Sequence, residues 1–273
     1  MTDARSEIDR LPLISIVTPS YNQAHFLERT IRSVLDQGYP RLEYMILDGG
    51  STDGSTDVIR RYESSLSFWR SHPDSGQSSA INEGWGRATG SVLAWLNSDD
   101  YYLPGTLAFV GDFFRTHPGA PMLYGLSDFV DPAGRPIATV GRPFDRNRLL
   151  RGEQPMPQPS TFISRDALQV VGPLDDTLHY AMDYDLFLRV TGIGEPAFTM
   201  RTLSAFTVHP DAKTTARRNV ARQESLRVAA RYADRGNRVA LKLFAIRARV
   251  YHSMPRSLMD RLDRVRRLPV LKG

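Results

Sequence analysis

Two adjacent carboxylates, Asp99 and Asp100, directly follow an apolar run at residues 92–96. Five apolar residues are too few for a helix and are typical of a strand buried on both faces. Neighbouring carboxylates repel each other and resist the loss of water, so this position favours a compensating cation. Oxygen ligands suit Mg²⁺ or Mn²⁺, which usually also bind substrate phosphates. The alternative is a solvated acidic turn, with Pro104 beginning the next helix.

A third carboxylate, Asp48, ends a second apolar run and begins the Gly-rich segment DGGSTDGSTD. Asp53 and Ser55 are better placed than Asp48 to cap the helix that follows, so we predict that Asp48 contacts a ligand. The segment is not the GxGxxG of a dinucleotide-binding oxidoreductase. It also lacks the GxxxxGK[ST] pattern of a P-loop.

A later pair of aspartates could supply the catalytic base. Asp183 and Asp185 lie in AMDYDLFLR, which predicts a short amphipathic helix at residues 183–190. Asp185 is the better candidate for interaction with the helix dipole, which leaves Asp183 as a candidate general base.

A lone histidine, His209, lies in the polar segment FTVHPDAKT after a predicted strand. It could simply be exposed. A metal held by one carboxylate and a diphosphate, however, has open positions that an imidazole could fill. We therefore predict His209 as a metal ligand, and Lys213 or Arg217 as a diphosphate contact.

Apolar runs and helical patterns alternate along the first hundred residues. They predict strands at residues 13–17, 42–47 and 92–96, with helices between them. Such alternation favours an α/β fold with a mainly parallel central sheet flanked by helices, in which ligands bind at the carboxyl ends of the strands. In the less regular second half we predict strands at residues 122–124, 137–140 and 198–203. The proline-rich segment PMPQPSTFIS predicts an edge strand at residues 160–163.

Composition limits the class of protein. With 273 residues, of which 41% are hydrophobic, the chain can build a full core. It contains no cysteine, which excludes a disulfide scaffold, a thiolate nucleophile and Cys-ligated zinc. Residues 1–10 lack the apolar core of a signal peptide and no apolar run is long enough to span a membrane, so we expect a cytoplasmic location.

The formal charge of +5 is distributed unevenly. From residue 213 onward there are seventeen Lys and Arg against four Asp and Glu, so the part before it carries a net charge of −8. The basic segment could be a solvated helical extension that packs on the body. Alternatively, it forms an amphipathic surface that lies on anionic lipid at the inner face of the cell membrane. Nucleic-acid binding is not expected, because the segment lacks interleaved aromatic residues and the body is acidic.

Seven features follow one another along the chain in this order: TPSYN, ILDGGSTDGS, GQSSAINEGWGRATG, WLNSDD, QPSTF, AMDYDLFLR and His209. In this order the chain resembles the inverting family 2 glycosyltransferases of the GT-A fold, over about residues 13–214. The resemblance implies a GT-A, Rossmann-like catalytic domain at residues 1–214 and a basic helical C-terminal extension at residues 215–273.

The resemblance also implies roles for individual residues. In such enzymes the loop after the first strand packs around the nucleotide base and the aspartate that ends the second strand hydrogen-bonds the base. The implied donor contacts here are Thr18, Pro19, Tyr21, Asp48, Gln77 and Asn82. Residues 158–161 correspond to positions that line the acceptor or the donor sugar.

Two motifs depart from the family pattern. The family's DxD motif corresponds to Asn97, Ser98 and Asp99, so its first Asp is replaced by Asn. The resemblance then implies that Asp99 binds the ribose or the metal and that Asp100 binds the metal. The family's ED motif, which carries the catalytic base, corresponds to Met182 and Asp183.

These observations predict a metal-dependent, inverting glycosyltransferase with Mn²⁺ or Mg²⁺ as its cofactor. It would move a sugar from a nucleoside diphosphate sugar, UDP-linked, to a hydroxyl of a glycan or lipid-linked acceptor in cell-surface polysaccharide synthesis. One alternative is a sugar-nucleotide nucleotidyltransferase, which needs a Gly-rich, Arg-containing loop where TPSYNQ stands. The other is a non-catalytic module that binds a nucleotide sugar.

Overall fold

The computed structural model describes residues 8–210 and 218–233. Within them one mixed sheet contains nine strands: β1 (Ile14–Ser20), β2 (Leu42–Asp48), β3 (Phe68–Ser71), β4 (Val92–Trp95), β5 (Tyr101–Tyr102), β6 (Met122–Val130), β7 (Pro136–Val140), β8 (Thr161–Ser164) and β9 (Ala197–Thr207). The helices are α1 (Ala24–Leu35), α2 (Ser55–Arg61), α3 (Gln77–Arg87), α4 (Thr106–Thr116), α5 (Arg146–Leu150), α6 (Arg165–Val171), α7 (Met182–Ile193) and α8 (Arg218–Tyr232).

The strand order across the sheet is β3-β2-β1-β4-β8-β6-β9-β5, with β7 paired to β6. The first four strands in this order are mutually parallel, as helical crossovers require, and β6 and β9 are parallel to each other. The predicted α/β fold with a mainly parallel central sheet is confirmed. The carboxyl ends of β1, β2 and β4 therefore meet at one edge of the sheet, where α/β proteins bind ligands.

Helices cover both faces of the sheet, which explains the unbroken apolar runs of the central strands. Along β4, Leu93 and Trp95 join the core beneath α3 and α7, whereas Val92 and Ala94 join the core beneath α1 and α4. All four side chains are almost fully buried. Burying one such side chain contributes about 1.5–3 kcal/mol, so both faces contribute to folding.

The prediction of an edge strand at residues 160–163 is wrong. Strand β8 lies in the middle of the sheet, hydrogen-bonded to β4 on one side and to β6 on the other. The three prolines of the segment all precede the strand, and Pro159 lies in a 3₁₀ turn at Gln158–Ser160. No proline therefore occupies a position in the hydrogen-bond ladder, and the strand is free to pair on both sides.

The second half holds elements that carry no strong periodic signal. Strand β5 has two residues and is held in the sheet by antiparallel pairing with the long strand β9. Helices α5 and α6 have five and seven residues, too few for a clear apolar stripe. The predicted strand at residues 137–140 is confirmed as β7, which pairs antiparallel with β6.

Helix α8 begins the predicted extension and packs against α7. Val228 and Ala229 are fully buried in the core that α7 also lines. The predicted domain boundary between residues 214 and 215 lies outside the described residues, as does everything after residue 233. In the described part, helices long and apolar enough to cross a bilayer are absent.

Candidate active site

A cavity of about 710 Å³ lies at the carboxyl ends of the parallel strands. Cavities of about 300–1,000 Å³ are the usual size for small-molecule sites. Its walls come from the loops after β1 and β2, from the turn after β4, and from segments next to β8 and α7. These are the segments in which the sequence placed its candidate residues.

The end of β1 and the loop after it form one wall, through Pro19 and Tyr21. Tyr21 is 64% exposed, so its ring presents a free face at the cavity. The next residue, Asn22, has a φ of +52° and is held there because Ser51 Oγ accepts from its N–H at 2.7 Å and its own Oδ1 accepts from Thr52 N at 2.9 Å. These bonds fasten the loop after β1 to the Gly-rich loop after β2.

Asp48 is completely buried and does not line the cavity. Its carboxylate accepts hydrogen bonds from the backbone N–H groups of Gly50 (3.1 Å) and Ser51 (2.8 Å), and from the hydroxyls of Ser51 (2.5 Å) and Ser71 (2.6 Å). The structure therefore shows Asp48 organising the loop, while Gly49 and Gly50 of that loop face the cavity.

Two other predicted donor contacts also lie away from the cavity surface. Thr18 is buried, with its hydroxyl 3.0 Å from the hydroxyl of Tyr44. Asn82 uses both ends of its amide on Leu174, donating to its carbonyl at 2.9 Å and accepting from its N–H at 3.0 Å. Lys213 lies outside the described residues.

Asp74 is a cavity residue that the sequence did not single out. Arg70 Nη1 donates to its Oδ2 at 2.9 Å and to the Asp48 carbonyl at 2.6 Å, and Gly76 N donates to its Oδ1 at 2.8 Å. Arg70 is itself only 9% exposed, so the ion pair is well shielded from water. In the sequence Asp74 lies in the polar segment HPDSG, and the composition of this segment does not distinguish a ligand contact from an ordinary turn.

Asn97 is the hub of the turn after β4. Its Oδ1 accepts from Gln77 Nε2 at 2.7 Å, and its Nδ2 donates to Asp100 Oδ2 at 3.3 Å and to Gln158 Oε1 at 3.2 Å. Gln158 in turn donates to the Trp95 carbonyl at 2.8 Å. An amide suits this position because its NH₂ group donates to Asp100, whereas a second carboxylate here would repel that of Asp100.

Asp99 is the acidic side chain of this turn that faces the cavity. Its Oδ2 lies 3.1 Å from Nε2 of His209, whose ring is 5% exposed and packs on Phe26 at a centroid distance of 4.7 Å. The structure thus brings together two of the three predicted metal ligands, although they are 110 residues apart in the chain.

The third predicted ligand, Asp100, is completely buried and does not line the cavity. Its Oδ1 accepts from the backbone N–H of Thr207 at 3.0 Å, which ties the acidic turn to the end of β9, two residues before His209. Burial raises the pKa of Asp100 well above its ordinary value, the charge of Asp99 raises it further, and the hydrogen bonds from Thr207 and Asn97 oppose both effects.

Among the described residues, groups of three or more His, Cys, Asp or Glu side chains placed to hold a metal ion are absent. Asp99 and His209 nevertheless offer a carboxylate and an imidazole in direct contact. Mg²⁺ sites commonly use one or two protein carboxylates together with substrate phosphates, and Mn²⁺ accepts the same oxygen donors. The donor set therefore fits a divalent ion that is shared with a diphosphate, rather than one enclosed by protein alone.

Asp183 lines the same cavity from the first turn of α7. Gln154 Nε2 donates to its Oδ2 at 2.9 Å and Tyr184 N donates to its Oδ1 at 2.7 Å, so the carboxylate is held in one orientation. Burial raises the pKa of Asp183, although these two hydrogen bonds oppose the rise. A fixed carboxylate with a raised pKa has the properties of a general base.

Comparison with known proteins gives the site a family context. The model of the family described as Glycosyl transferase family 2 matches residues 15–169. An uncharacterized glycosyltransferase of Mycobacterium tuberculosis is 29% identical over 198 residues, which are 71% of this chain and 75% of the relative. The hyaluronan synthase of Pasteurella multocida is 29% identical over 194 residues, 70% of this chain but only 20% of the synthase.

Solved structures share the fold. Residues 1–349 of Staphylococcus aureus TarS, in complex with UDP-GlcNAc, align with a TM-score of 0.66 and 16% identity over 85% of this chain and 71% of that chain. The mannosyltransferase PcManGT of Pyrobaculum calidifontis, in complex with GDP-Man and Mn²⁺, aligns with a TM-score of 0.64 and 19% identity over 93% of this chain and 79% of that chain. The architecture is therefore GT-A-like.

Proposed function

The chain belongs to glycosyl transferase family 2, and from this membership we propose that it is a metal-dependent, inverting glycosyltransferase that uses a nucleoside diphosphate sugar. We further propose a UDP-sugar as the donor and a glycan or lipid-linked hydroxyl as the acceptor, in cell-surface polysaccharide synthesis. One observation carries the proposal: Asp99, in contact with His209, and Asp183 belong to separate segments yet line or adjoin a single cavity.

The nucleotide end of the donor fits the wall built from the loops after β1 and β2. Tyr21 offers an exposed ring face to a base, and the glycines of the β2 loop let the backbone approach closely. Gly50 has a φ of +85°, and a Cβ there would lie 3.1 Å from Pro73 N. A larger residue would therefore crowd Pro73, which lines the same cavity. Asp48 supports this subsite by holding the loop, and Asp74 adds an acceptor to it.

The diphosphate fits next to Asp99 and His209, the two residues that would hold Mn²⁺ or Mg²⁺. A divalent ion at this place supplies stabilisation of the negative charge that develops on the leaving nucleoside diphosphate. Asp100 keeps His209 beside Asp99 through its bond to Thr207, and we propose this supporting role for Asp100 in place of direct metal binding.

Asp183 is proposed to take the proton from the acceptor hydroxyl. The hydroxyl oxygen then forms a bond to the anomeric carbon while the bond from that carbon to the diphosphate oxygen breaks, and the nucleoside diphosphate leaves. Attack from the face opposite the leaving group inverts the anomeric configuration. Gln154 orients the carboxylate for this step and Gln158, in the same cavity wall, is available to a sugar hydroxyl.

A panel of donors tests the proposal. We expect the purified protein with Mn²⁺ to release nucleoside diphosphate from one of UDP-GlcNAc, UDP-glucose or GDP-mannose, to stop when EDTA is added, and to resume when Mn²⁺ is restored. Asp99→Asn and Asp183→Asn should each lower turnover about 100-fold or more. Asp185→Asn, which removes the other carboxylate of the same helical turn, serves as the matched control and should lower turnover far less. Full activity in EDTA would refute the metal requirement.

We propose that the basic extension attaches the enzyme to anionic lipid, because the charge of +13 after residue 212 opposes an acidic body. The test is flotation of the full chain with vesicles containing phosphatidylserine or phosphatidylcholine alone. Replacement of Arg261, Arg264, Arg266 and Arg267 by Gln should abolish binding to the anionic vesicles. Equal flotation with both lipids, or no effect of the substitutions, would rule out this attachment.

A further inference from the structure

A buried glutamate on α8 contacts the chain segment that leads into α7. Glu224 is 5% exposed, and its carboxylate accepts hydrogen bonds from three consecutive backbone N–H groups: His179 at 3.2 Å, Tyr180 at 2.5 Å and Ala181 at 2.8 Å. Residues 179–181 are separated from Glu224 by more than forty positions in sequence. Two of the three, His179 and Tyr180, line the cavity.

Helix α7 has no capping side chain of its own. Its N-cap residue is Ala181, which carries no oxygen to accept from the first turn. Backbone N–H groups that are buried without an acceptor cost about 1–3 kcal/mol each, so the turn before α7 needs an external acceptor to hold this shape. Glu224 supplies it, and the strength of the arrangement is reflected in its pKa: burial alone would raise it, but the bonds from Tyr180, His179 and Ala181 outweigh burial and lower it.

The position of Glu224 is determined by contacts other than its own. Val228 and Ala229 lie about one helical turn after Glu224 on α8, and both are fully buried in the core that α7 also lines. Tyr232 donates from its hydroxyl to Asp185 Oδ1 at 2.8 Å, and Arg231 Nη1 lies 3.2 Å from Asp175 Oδ2. The carboxylate is therefore carried by a docked helix, which makes it a rigid support for the turn.

Asp183 follows this turn by two residues and lies in the first turn of α7. Any change in the path of residues 179–181 moves the start of α7 and with it the carboxylate of Asp183. The segment matched by the family model ends at residue 169, so neither Asp183 nor Glu224 lies within it. The support comes from helix α8.

We propose that Glu224 is a positioning residue for the reaction: it holds the turn at residues 179–181 and thereby places Asp183 against the acceptor. The proposal rests on the proposed function of Asp183 as general base. Glu224 does not line the cavity, so it acts through the turn it binds; its charge also contributes to the raised pKa of Asp183.

The test compares Glu224→Gln with Tyr232→Phe in the full chain. Gln keeps the length of the side chain but offers one acceptor oxygen and turns an NH₂ group toward backbone donors, so at least one N–H loses its partner. Tyr232→Phe removes a different bond between α8 and α7. The buried side chains of Val228 and Ala229 keep α8 packed in that variant, so the turn keeps its acceptor. Turnover of the best donor from the panel, kcat and KM for that donor, and hydrogen exchange of the amides at residues 179–181 are measured for both.

We expect Glu224→Gln to lower kcat about 10- to 100-fold, since a displacement of about 1 Å at a catalytic group can cost 100-fold, with KM for the donor changed less than two-fold. Exchange at residues 179–181 should become at least ten-fold faster. Tyr232→Phe should keep kcat within two-fold and leave that exchange unchanged. A kcat within two-fold of the unaltered enzyme in Glu224→Gln, an equal loss in both variants, or a loss confined to KM would overturn the proposal.

Two outcomes separate this inference from the proposed function. If Asp183→Asn retains turnover, the base assignment fails whatever Glu224 does; if Asp183→Asn is inactive and Glu224→Gln is fully active, only the positioning role fails. Should Glu224→Gln not fold, exchange in the unaltered protein decides. The amides of Tyr180 and Ala181 must then be protected at least 100-fold relative to unstructured chain, and exchange at the unstructured rate overturns the proposal.

Discussion

The two neutral replacements of Asp100, Asp100→Ala and Asp100→Asn, should differ in stability. Both remove the buried carboxyl group next to Asp99. They differ in the acceptor for the Thr207 N–H, whose bond to Asp100 Oδ1 is 3.0 Å long, and in side-chain volume, because Ala also leaves a small cavity. Asn keeps an oxygen at that place and Ala does not. A buried N–H without an acceptor costs about 1–3 kcal/mol, and we expect Asp100→Ala to be less stable than Asp100→Asn by about 2 kcal/mol.

The assay is urea unfolding at neutral pH, followed by tryptophan fluorescence, with equal m-values required for the comparison. The second measurement is the Kd for Mn²⁺, obtained by titration in the presence of UDP. Loss of the bond from the Thr207 N–H weakens the attachment of the end of β9 to the acidic turn, although Thr207 Oγ1 still donates to the Asp99 carbonyl. We therefore expect weaker Mn²⁺ binding in Asp100→Ala. Asp100→Asn should bind Mn²⁺ within about three-fold of the unaltered protein, because the acceptor for Thr207 is retained.

Two results would refute this reasoning. Equal stability of the two variants would show that the Thr207 bond contributes nothing. A loss of Mn²⁺ binding in Asp100→Asn as large as that in Asp99→Asn would show that Asp100 binds the ion directly, as the sequence resemblance implied, and would contradict the supporting role.

The remaining predictions concern the pH profile and the packing of α3. Gln154→Leu removes a hydrogen bond that lowers the pKa of Asp183, so the acid limb of kcat/KM for the donor should move to higher pH; a limb that stays in place would contradict the role of Asp183 as the titrating base. Gly84→Ala should lower the free energy of unfolding by about 1–3 kcal/mol, because its Cβ would lie 2.6 Å from Val17 Cγ2. The control is Gly86→Ala on the exposed side of the same helix, where a Cβ would meet open space. It should raise the free energy of unfolding by about 0.5–1 kcal/mol. Equal effects of the two substitutions in urea unfolding would contradict the close approach of α3 to β1.

The parallel half of the sheet could be predicted from sequence because its signals are local. Three of its four strands, β1, β2 and β4, are short apolar runs that end at polar residues, as at Asp48 and Asp99. Strand β3 has four residues, of which only Phe68 and Trp69 are apolar, and was not predicted. Strand β8 shows the limit. Its prolines are counted correctly as strand breakers, but only the three-dimensional path shows that they precede the ladder and leave the strand free to pair on both sides.

Within the site, the residue types could be predicted better than their orientations. Asp48 and Asn82 have the polar groups expected of donor contacts, yet their hydrogen bonds are used within the protein, on Ser51 and Leu174. Which face of a loop such a side chain occupies depends on contacts that are distant in sequence. The same reason hides Glu224, whose three acceptor bonds reach a turn more than forty residues away and leave no local pattern.

The proposed mechanism depends most on Asp183 as the base that deprotonates the acceptor, while the donor is bound elsewhere in the cavity. The most direct measurement separates donor binding from transfer in Asp183→Asn, using calorimetry for the Kd of the preferred donor with Mn²⁺ and a single-turnover assay for the rate. We predict a Kd within about two-fold of the unaltered enzyme and a rate lower by about 100-fold or more, as expected for loss of a general base. An unchanged rate, or a loss explained entirely by weaker donor binding, would contradict it.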